Sequence, residues 1–167
     1  GIRIAQLNDP TPCASFSVSG VLDHMTNLAS VFAPAFRGDP SPNPGESPAL
    51  SNNNLPARFQ LAMDALLDAV QSPGALQRTI DSTFGSRPGS TFARLVAFDG
   101  LIHGWDLATS TNQAWEPPED LVAEVDAFAR QAIAPALRDG DTFAQETSAP
   151  PDAGPLLRLV AFSGRTI

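Results

Sequence analysis

The sequence contains no lysine and carries a formal net charge of −8, so it offers no basic surface of the kind that nucleic acid requires. Its positive side chains are ten arginines, and they are spread along the chain rather than clustered. This distribution is also unlike the polybasic patch of a protein that binds anionic membranes. We therefore expect neither a nucleic-acid partner nor a membrane partner.

Cysteine and long apolar runs are also scarce. Cys13 is the only cysteine, which excludes an internal disulfide and favours a reducing compartment. No run of about 18 or more apolar residues is present, so no transmembrane helix is predicted. The first ten residues lack the long apolar core of a signal peptide. These absences predict a cytoplasmic protein, and a length of 167 residues predicts one domain, residues 1–167, with a single core.

Four segments carry apolar residues at every third or fourth position, which is the spacing of an amphipathic helix. The predicted helices run from Ser17 or Ser19 to about Arg37, from Leu55 to about Gln71, from Gly89 or Ser90 to about Ser110, and from Pro117 to about Arg138 with a kink at Pro135. Residues 39–54 read as a loop, residues 74–89 are ambiguous between an extended segment and a hairpin, and a short helix follows near the C terminus. The pattern predicts an all-α helical bundle.

The third helix contains the stretch LVAFDGLIHGWDL, which places charged residues in an apolar segment. Asp99 and His103 are four positions apart, so they share one helix face, close to Phe92, Leu95 and Val96. A carboxylate at a core-facing position costs several kcal/mol unless something compensates it. Two explanations are open: a hydrogen-bonded Asp–His pair, or a bound metal ion.

The second histidine of the chain bears on this choice. His24 lies in VLDHMTNL, at the edge of the apolar face of the first helix, next to Val21 and Leu28. Two imidazoles and one carboxylate from two helices supply three ligands and leave a coordination position for water, as in catalytic metal sites. From the residues alone, the metal site and the satisfied core histidine are about equally supported.

Three segments resemble one family. DGLIHGWDLA (residues 99–108), DPTPCASFSVSGVLDHMTNL (residues 9–28) and PPDAGPLLRLVAFSGR (residues 150–165) are similar to the mycothiol-dependent maleylpyruvate isomerase metal-binding domains of the DinB-like superfamily. The last segment looks like the C terminus of small actinobacterial members. The resemblance implies a DinB-like four-helix bundle with a short C-terminal helix.

The same resemblance implies a divalent metal held by His24, Asp99 and His103, and zinc is the favoured ion, although nickel or iron suits the same ligands. It also implies mycothiol as a thiol cofactor, a small-molecule or thiol substrate, and a thiol-dependent transferase or isomerase. A metal-dependent hydrolase and a non-catalytic metal-binding or interaction module are the alternatives.

Two departures from the family bear on the fold and the site. Members have a longer helix before the segment that resembles GIRIAQL, so the first helix of the bundle is expected to be short or missing, and an open apolar groove there would favour a homodimer. Asp99 stands where many members have glutamate, so this shorter carboxylate must approach the metal more closely.

Three further residues have two interpretations each. Asp106 either accepts a hydrogen bond that orients an imidazole or forms a salt bridge to an arginine such as Arg94 or Arg58. Trp105 either packs between helices or lines a substrate pocket. Cys13 is interpreted as a small buried residue rather than a nucleophile, because no base lies near it in the sequence.

Overall fold

The computed structural model describes residues 1–40, 55–82, 85–138 and 143–167. Within these ranges the chain forms five α-helices and a two-stranded sheet, which confirms the predicted all-α class. The helices are α1 (Val18–Arg37), α2 (Leu55–Val70), α3 (Gly89–Thr111), α4 (Glu119–Ala132) and the short C-terminal α5 (Pro155–Phe162). The strands are β1 (Thr79–Ile80) and β2 (Arg87–Pro88), and short 3-10 helices span Ile4–Gln6 and Pro135–Leu137. The predicted loop 39–54 lies, from residue 41 onward, outside the described residues.

The chain divides into two compact units. The first unit comprises residues 1–8 and 16–93, and the second comprises residues 9–15 and 94–167. Helix α3 starts in the first unit and continues into the second. The single domain over residues 1–167 stays a prediction.

The first unit is built on α1, which begins and ends where its sequence signals predict. The Ser17 hydroxyl accepts a hydrogen bond from the Gly20 amide at 3.2 Å and so caps the helix. Gly38 ends the helix at φ 84°, the left-handed conformation that glycine adopts without strain. The apolar face of α1 is buried and α2 packs beside it, with the Arg37 guanidinium donating to the Ala65 carbonyl at 2.9 Å.

The ambiguous segment after α2 is a short antiparallel hairpin in the structure. Thr79 lies opposite Pro88, and Ile80 lies opposite Arg87. The hairpin leads directly into α3, whose first turns belong to the same unit, where the Phe92 ring lies 5.4 Å from the ring of Phe32 on α1. The hairpin alternative was therefore the correct one for this segment.

The second unit surrounds a core formed by the continuation of α3 together with α4 and α5. Its buried members are Phe98, Leu101, Ile102, Val122, Val125, Ala129, Ile133, Leu159, Val160 and Phe162. The guanidinium carbons of Arg130 and Arg138 lie 4.6 and 4.4 Å from the centre of the Phe162 ring. A hydrogen bond from Arg130 to the Asp126 carboxylate raises the pKa of the Arg130 guanidinium.

The predicted end of α4 was wrong. The helix stops at Ala132 instead of running through a kink to Arg138. Ala134, which precedes Pro135, has the extended angles φ −67° and ψ 154°, because a proline ring clashes with a helical residue before it. The proline therefore ends the helix and opens a separate 3-10 turn.

No helix among the residues that the structure describes is long and apolar enough to cross a membrane.

Candidate metal centre

Two of the three predicted ligands, Asp99 and His103, meet on α3 in the second unit. Asp99 Oδ1 lies 3.6 Å from His103 Nε2, one helical turn away. The His103 side chain is 7% exposed, whereas the Asp99 side chain is 25% exposed. The pair therefore combines an enclosed imidazole with a carboxylate that solvent reaches, and the short aspartate is long enough to approach the ring.

The surroundings of this pair differ in part from the predicted apolar face. In this part of α3 the buried apolar residues include Phe98, Leu101 and Ile102, whereas Leu95 and Val96 are only half-buried. The reason lies in the second unit, where the continuation of α3 shares its core with residues of α4 and α5. His103 therefore lies on the buried face of the helix, and Asp99 lies at the edge of that face.

The other ring nitrogen of His103 contacts Asp106. His103 Nδ1 lies 2.9 Å from Asp106 Oδ2, and Asp106 is fully buried. An ionised carboxylate only accepts hydrogen bonds, so Nδ1 is the hydrogen-bond donor of this pair, and in a neutral ring the lone pair is then on Nε2. Nε2 is the atom that lies next to Asp99.

Asp106 fulfils both interpretations that its sequence position allowed. It orients the His103 ring, and it also forms an ion pair with an arginine. The arginine is Arg165, however, and not Arg94 or Arg58. Arg165 Nη2 lies 2.9 Å from Asp106 Oδ2, and Arg165 Nε lies 3.3 Å from Asp106 Oδ1. The ion pair is therefore bidentate.

Sequence reasoning missed Arg165 because it lies 59 positions from Asp106, and no spacing rule connects two residues so far apart. The available signal was the C-terminal segment ending in SGR, which was assigned to the family without a role for its arginine. Arg94, which the sequence suggested, instead pairs with Glu124 on α4 at 3.3 Å.

The distance between Asp99 and His103 bears on one of the two explanations of this pair, the direct hydrogen bond. At 3.6 Å the two atoms are too far apart for a direct hydrogen bond, which spans about 2.7–3.2 Å. Zinc bonds of about 2.0–2.2 Å at a tetrahedral angle place two ligand atoms about 3.4 Å apart. The 3.6 Å separation is close to that spacing, and the bound metal stays a prediction.

The third predicted ligand, His24, lies on α1 in the first unit. It is half-buried, and its ring centre lies 5.1 Å from that of Phe16, with 30° between the ring planes. Its grouping with Asp99 and His103 stays a prediction.

The two tryptophans of the second unit have different roles. Trp105 is partly buried against the core, as the packing interpretation predicts. Trp115 donates from Nε1 to the Leu101 carbonyl at 3.2 Å and lines a cavity of about 410 Å³ with Glu116 and Glu119. Neither Asp99 nor His103 lines this cavity.

Comparison with known proteins gives two results. Residues 1–108 match the family model described as the mycothiol maleylpyruvate isomerase N-terminal domain, and this range contains His24, Asp99 and His103. Proteins from two strains of Mycobacterium tuberculosis, both described as uncharacterized, are 32% identical over 167 residues, which is 99% of this chain and 88% of theirs. No solved structure matches the chain.

Proposed function

The chain belongs to the mycothiol maleylpyruvate isomerase N-terminal domain family, and from that membership we propose that it binds one divalent metal ion through His24, Asp99 and His103. Each of these side chains offers one donor atom of a type that zinc prefers. Zinc is the first candidate, and nickel and iron accept the same ligands.

The observation that carries this proposal is the arrangement around His103. Asp106 occupies Nδ1, so the lone pair of the neutral ring is on Nε2, 3.6 Å from the Asp99 carboxylate. Metal-bound histidines commonly donate a hydrogen bond from their second ring N–H to a carboxylate in this way. The bond fixes the orientation of the ring and raises its basicity as a ligand. The partial exposure of Asp99 leaves a path from solvent to the proposed ion.

We propose further that the protein is a thiol-dependent transferase or isomerase that takes mycothiol and a small-molecule substrate. A divalent metal bound there would act as a Lewis acid that lowers the pKa of a thiol or of water. The chain would contribute the Nε2 lone pair of His103 as a metal ligand and the negative charge of Asp99. The mycothiol in the description of the family supports a thiol over water as the activated group.

Metal content tests the first part of the proposal. We expect purified protein to retain about one equivalent of zinc after dialysis. We expect His103→Ala to lose that zinc, because it removes one of three ligands, while Cys13→Ala serves as the control and retains it. Elemental analysis of the three proteins at equal folded concentration is the measurement. Equal retention by both variants, or no uptake of added zinc by the unmodified protein, would refute the proposed ligand set.

Thiol binding tests the second part. Zinc-loaded protein mixed with mycothiol should show thiolate absorbance at neutral pH and a sulfur neighbour in zinc X-ray absorption spectra. S-methylated mycothiol, which cannot form a thiolate, is the control and should give neither signal. Zinc binding without either thiol signal would contradict the thiol-dependent activity. Ester or amide cleavage by that protein would then indicate the hydrolase, and its absence would indicate the non-catalytic module.

A further inference from the structure

The Asp106 side chain contacts one residue that is near it in the sequence and one that is far away. The near residue is His103, three positions earlier on α3, and the distant residue is Arg165, which follows the end of α5. Asp106 has no exposed surface, and the Arg165 side chain is only 15% exposed. A buried carboxylate with one imidazole as its only partner would be poorly compensated, because desolvation of an ion costs several kcal/mol.

The contact between Arg165 and Asp106 is directional. Both carboxylate oxygens of Asp106 receive guanidinium N–H groups, at 2.9 and 3.3 Å, so the plane of the carboxylate is held as well as its charge. With Asp106 held in this plane, Oδ2 accepts the His103 Nδ1 proton at 2.9 Å. The guanidinium of Arg165 has only donor groups, so both oxygens of Asp106 act as acceptors in this contact.

The backbone around Arg165 is itself fixed. Its amide donates to the Val160 carbonyl at 3.3 Å, and its carbonyl accepts from the Thr147 hydroxyl. Gly164 precedes it at φ 94°, and a Cβ there would lie 2.5 Å from the Cβ of Ala144. The C-terminal turn therefore restricts the backbone position from which the Arg165 side chain extends to Asp106.

From these contacts we propose that Arg165 is the positioning residue for His103. Acting through Asp106, it sets the ring orientation of His103 and places the proton on Nδ1. Nε2 is then the ring nitrogen that would coordinate the metal. The tautomer part of this inference stands on the second unit alone. Its consequence for metal affinity rests on the proposed function.

The tautomer is measured on metal-free protein labelled with ¹⁵N at histidine, at about pH 8, above the ordinary titration range of imidazole. Long-range ¹H–¹⁵N correlation spectra distinguish a protonated Nδ1 from a protonated Nε2. We expect His103 of the unmodified protein to be in the Nδ1–H form. In Arg165→Gln we expect a shift toward a mixture of both tautomers, because the neutral amide neither holds the carboxylate plane nor matches its charge.

Arg158→Gln is the matched control, because Arg158 is an exposed arginine on α5 and the change removes the same charge. It should leave the spectrum of His103 unchanged. Arg165→Lys keeps the charge without the bidentate geometry and should give an intermediate tautomer ratio. This lysine variant also decides the matter if Arg165→Gln does not fold: a ratio equal to that of the unmodified protein would overturn the inference.

Zinc affinity, measured by competition with a chelating dye, is the second readout. We expect Arg165→Gln to bind zinc about 10–100-fold more weakly, as is usual when a residue behind a ligand is lost. The two readouts separate the two hypotheses. An unmodified protein that shows the Nδ1–H form but binds no zinc would refute the proposed function and leave the role of Arg165 intact. A tautomer ratio that does not respond to Arg165→Gln would refute the role of Arg165, whatever the zinc affinity.

Discussion

The second unit contains two ion pairs that each connect α3 to a distant segment. Asp106 and Arg165 form one, with 0% and 15% of their side chains exposed. Arg94 and Glu124 form the other, with 45% and 63% exposed, and a separation of 3.3 Å. Both pairs join an arginine to a carboxylate, but they differ in burial and in the number of contacts, which is two for Arg165 and Asp106 and one for Arg94 and Glu124.

Burial changes what each pair can do. An exposed pair is screened by water and salt and contributes about 0–1 kcal/mol, so its side chains exchange between many geometries. A buried pair has no water to replace a lost partner, so one geometry is strongly preferred. The position of an imidazole can therefore be set by Asp106 and Arg165, but a pair such as Arg94 and Glu124 could not set it.

The largest effect is expected from removing the buried acid. We expect Asp106→Ala to lower the free energy of unfolding by about 3–5 kcal/mol, because it leaves the Arg165 charge enclosed without its partner. Urea unfolding followed by circular dichroism measures the change. Glu124→Ala, the exposed acid of the second pair, is the control and should lose less than about 1 kcal/mol. A similar small loss in both variants would show that burial does not separate the two pairs.

An intermediate effect is expected from two glycines on α3 that lie one turn apart. A Cβ on Gly104 would lie 2.5 Å from Cζ2 of Trp115, so Gly104→Ala must displace the indole and is expected to cost about 1–3 kcal/mol. A Cβ on Gly100 meets nothing within 4 Å, and Gly100→Ala should stabilise the helix by about 0.5–1 kcal/mol. Tryptophan fluorescence should shift only in the first variant. Destabilisation by Gly100→Ala would mean that this face of α3 is less tolerant than its contacts indicate.

The smallest effect is expected from the exposed arginine. We expect Arg94→Gln to lower the free energy of unfolding by less than about 1 kcal/mol, and the difference should vanish in about 1 M NaCl, where charges are screened beyond about 3 Å. Thermal unfolding at low and high salt gives the comparison. A loss as large as that of Asp106→Ala would contradict the assignment of Arg94 and Glu124 as a weak surface pair.

Local rules succeeded where short-range interactions decide the structure. Ser17 and Gly38 bound α1 as their side-chain chemistry predicts, and the four-residue spacing of Asp99 and His103 brought their side chains together. The end of α4 was misjudged at Pro135, where the restriction on the residue before proline outweighed the helical pattern. The arginine partner of Asp106 was also misjudged, because Arg94 was nearer in sequence than Arg165.

The amino-acid sequence by itself determined the helices, the family and the residue types of the candidate site, because helical periodicity, capping and motif spacing act over a few positions. Tertiary structure alone decided that Asp106 is buried and that Arg165 is its partner. Those features depend on which segments meet after a separation of 59 residues. Long-range contacts of this kind depend on the packing of the core and have no short-range pattern in the sequence that would predict them.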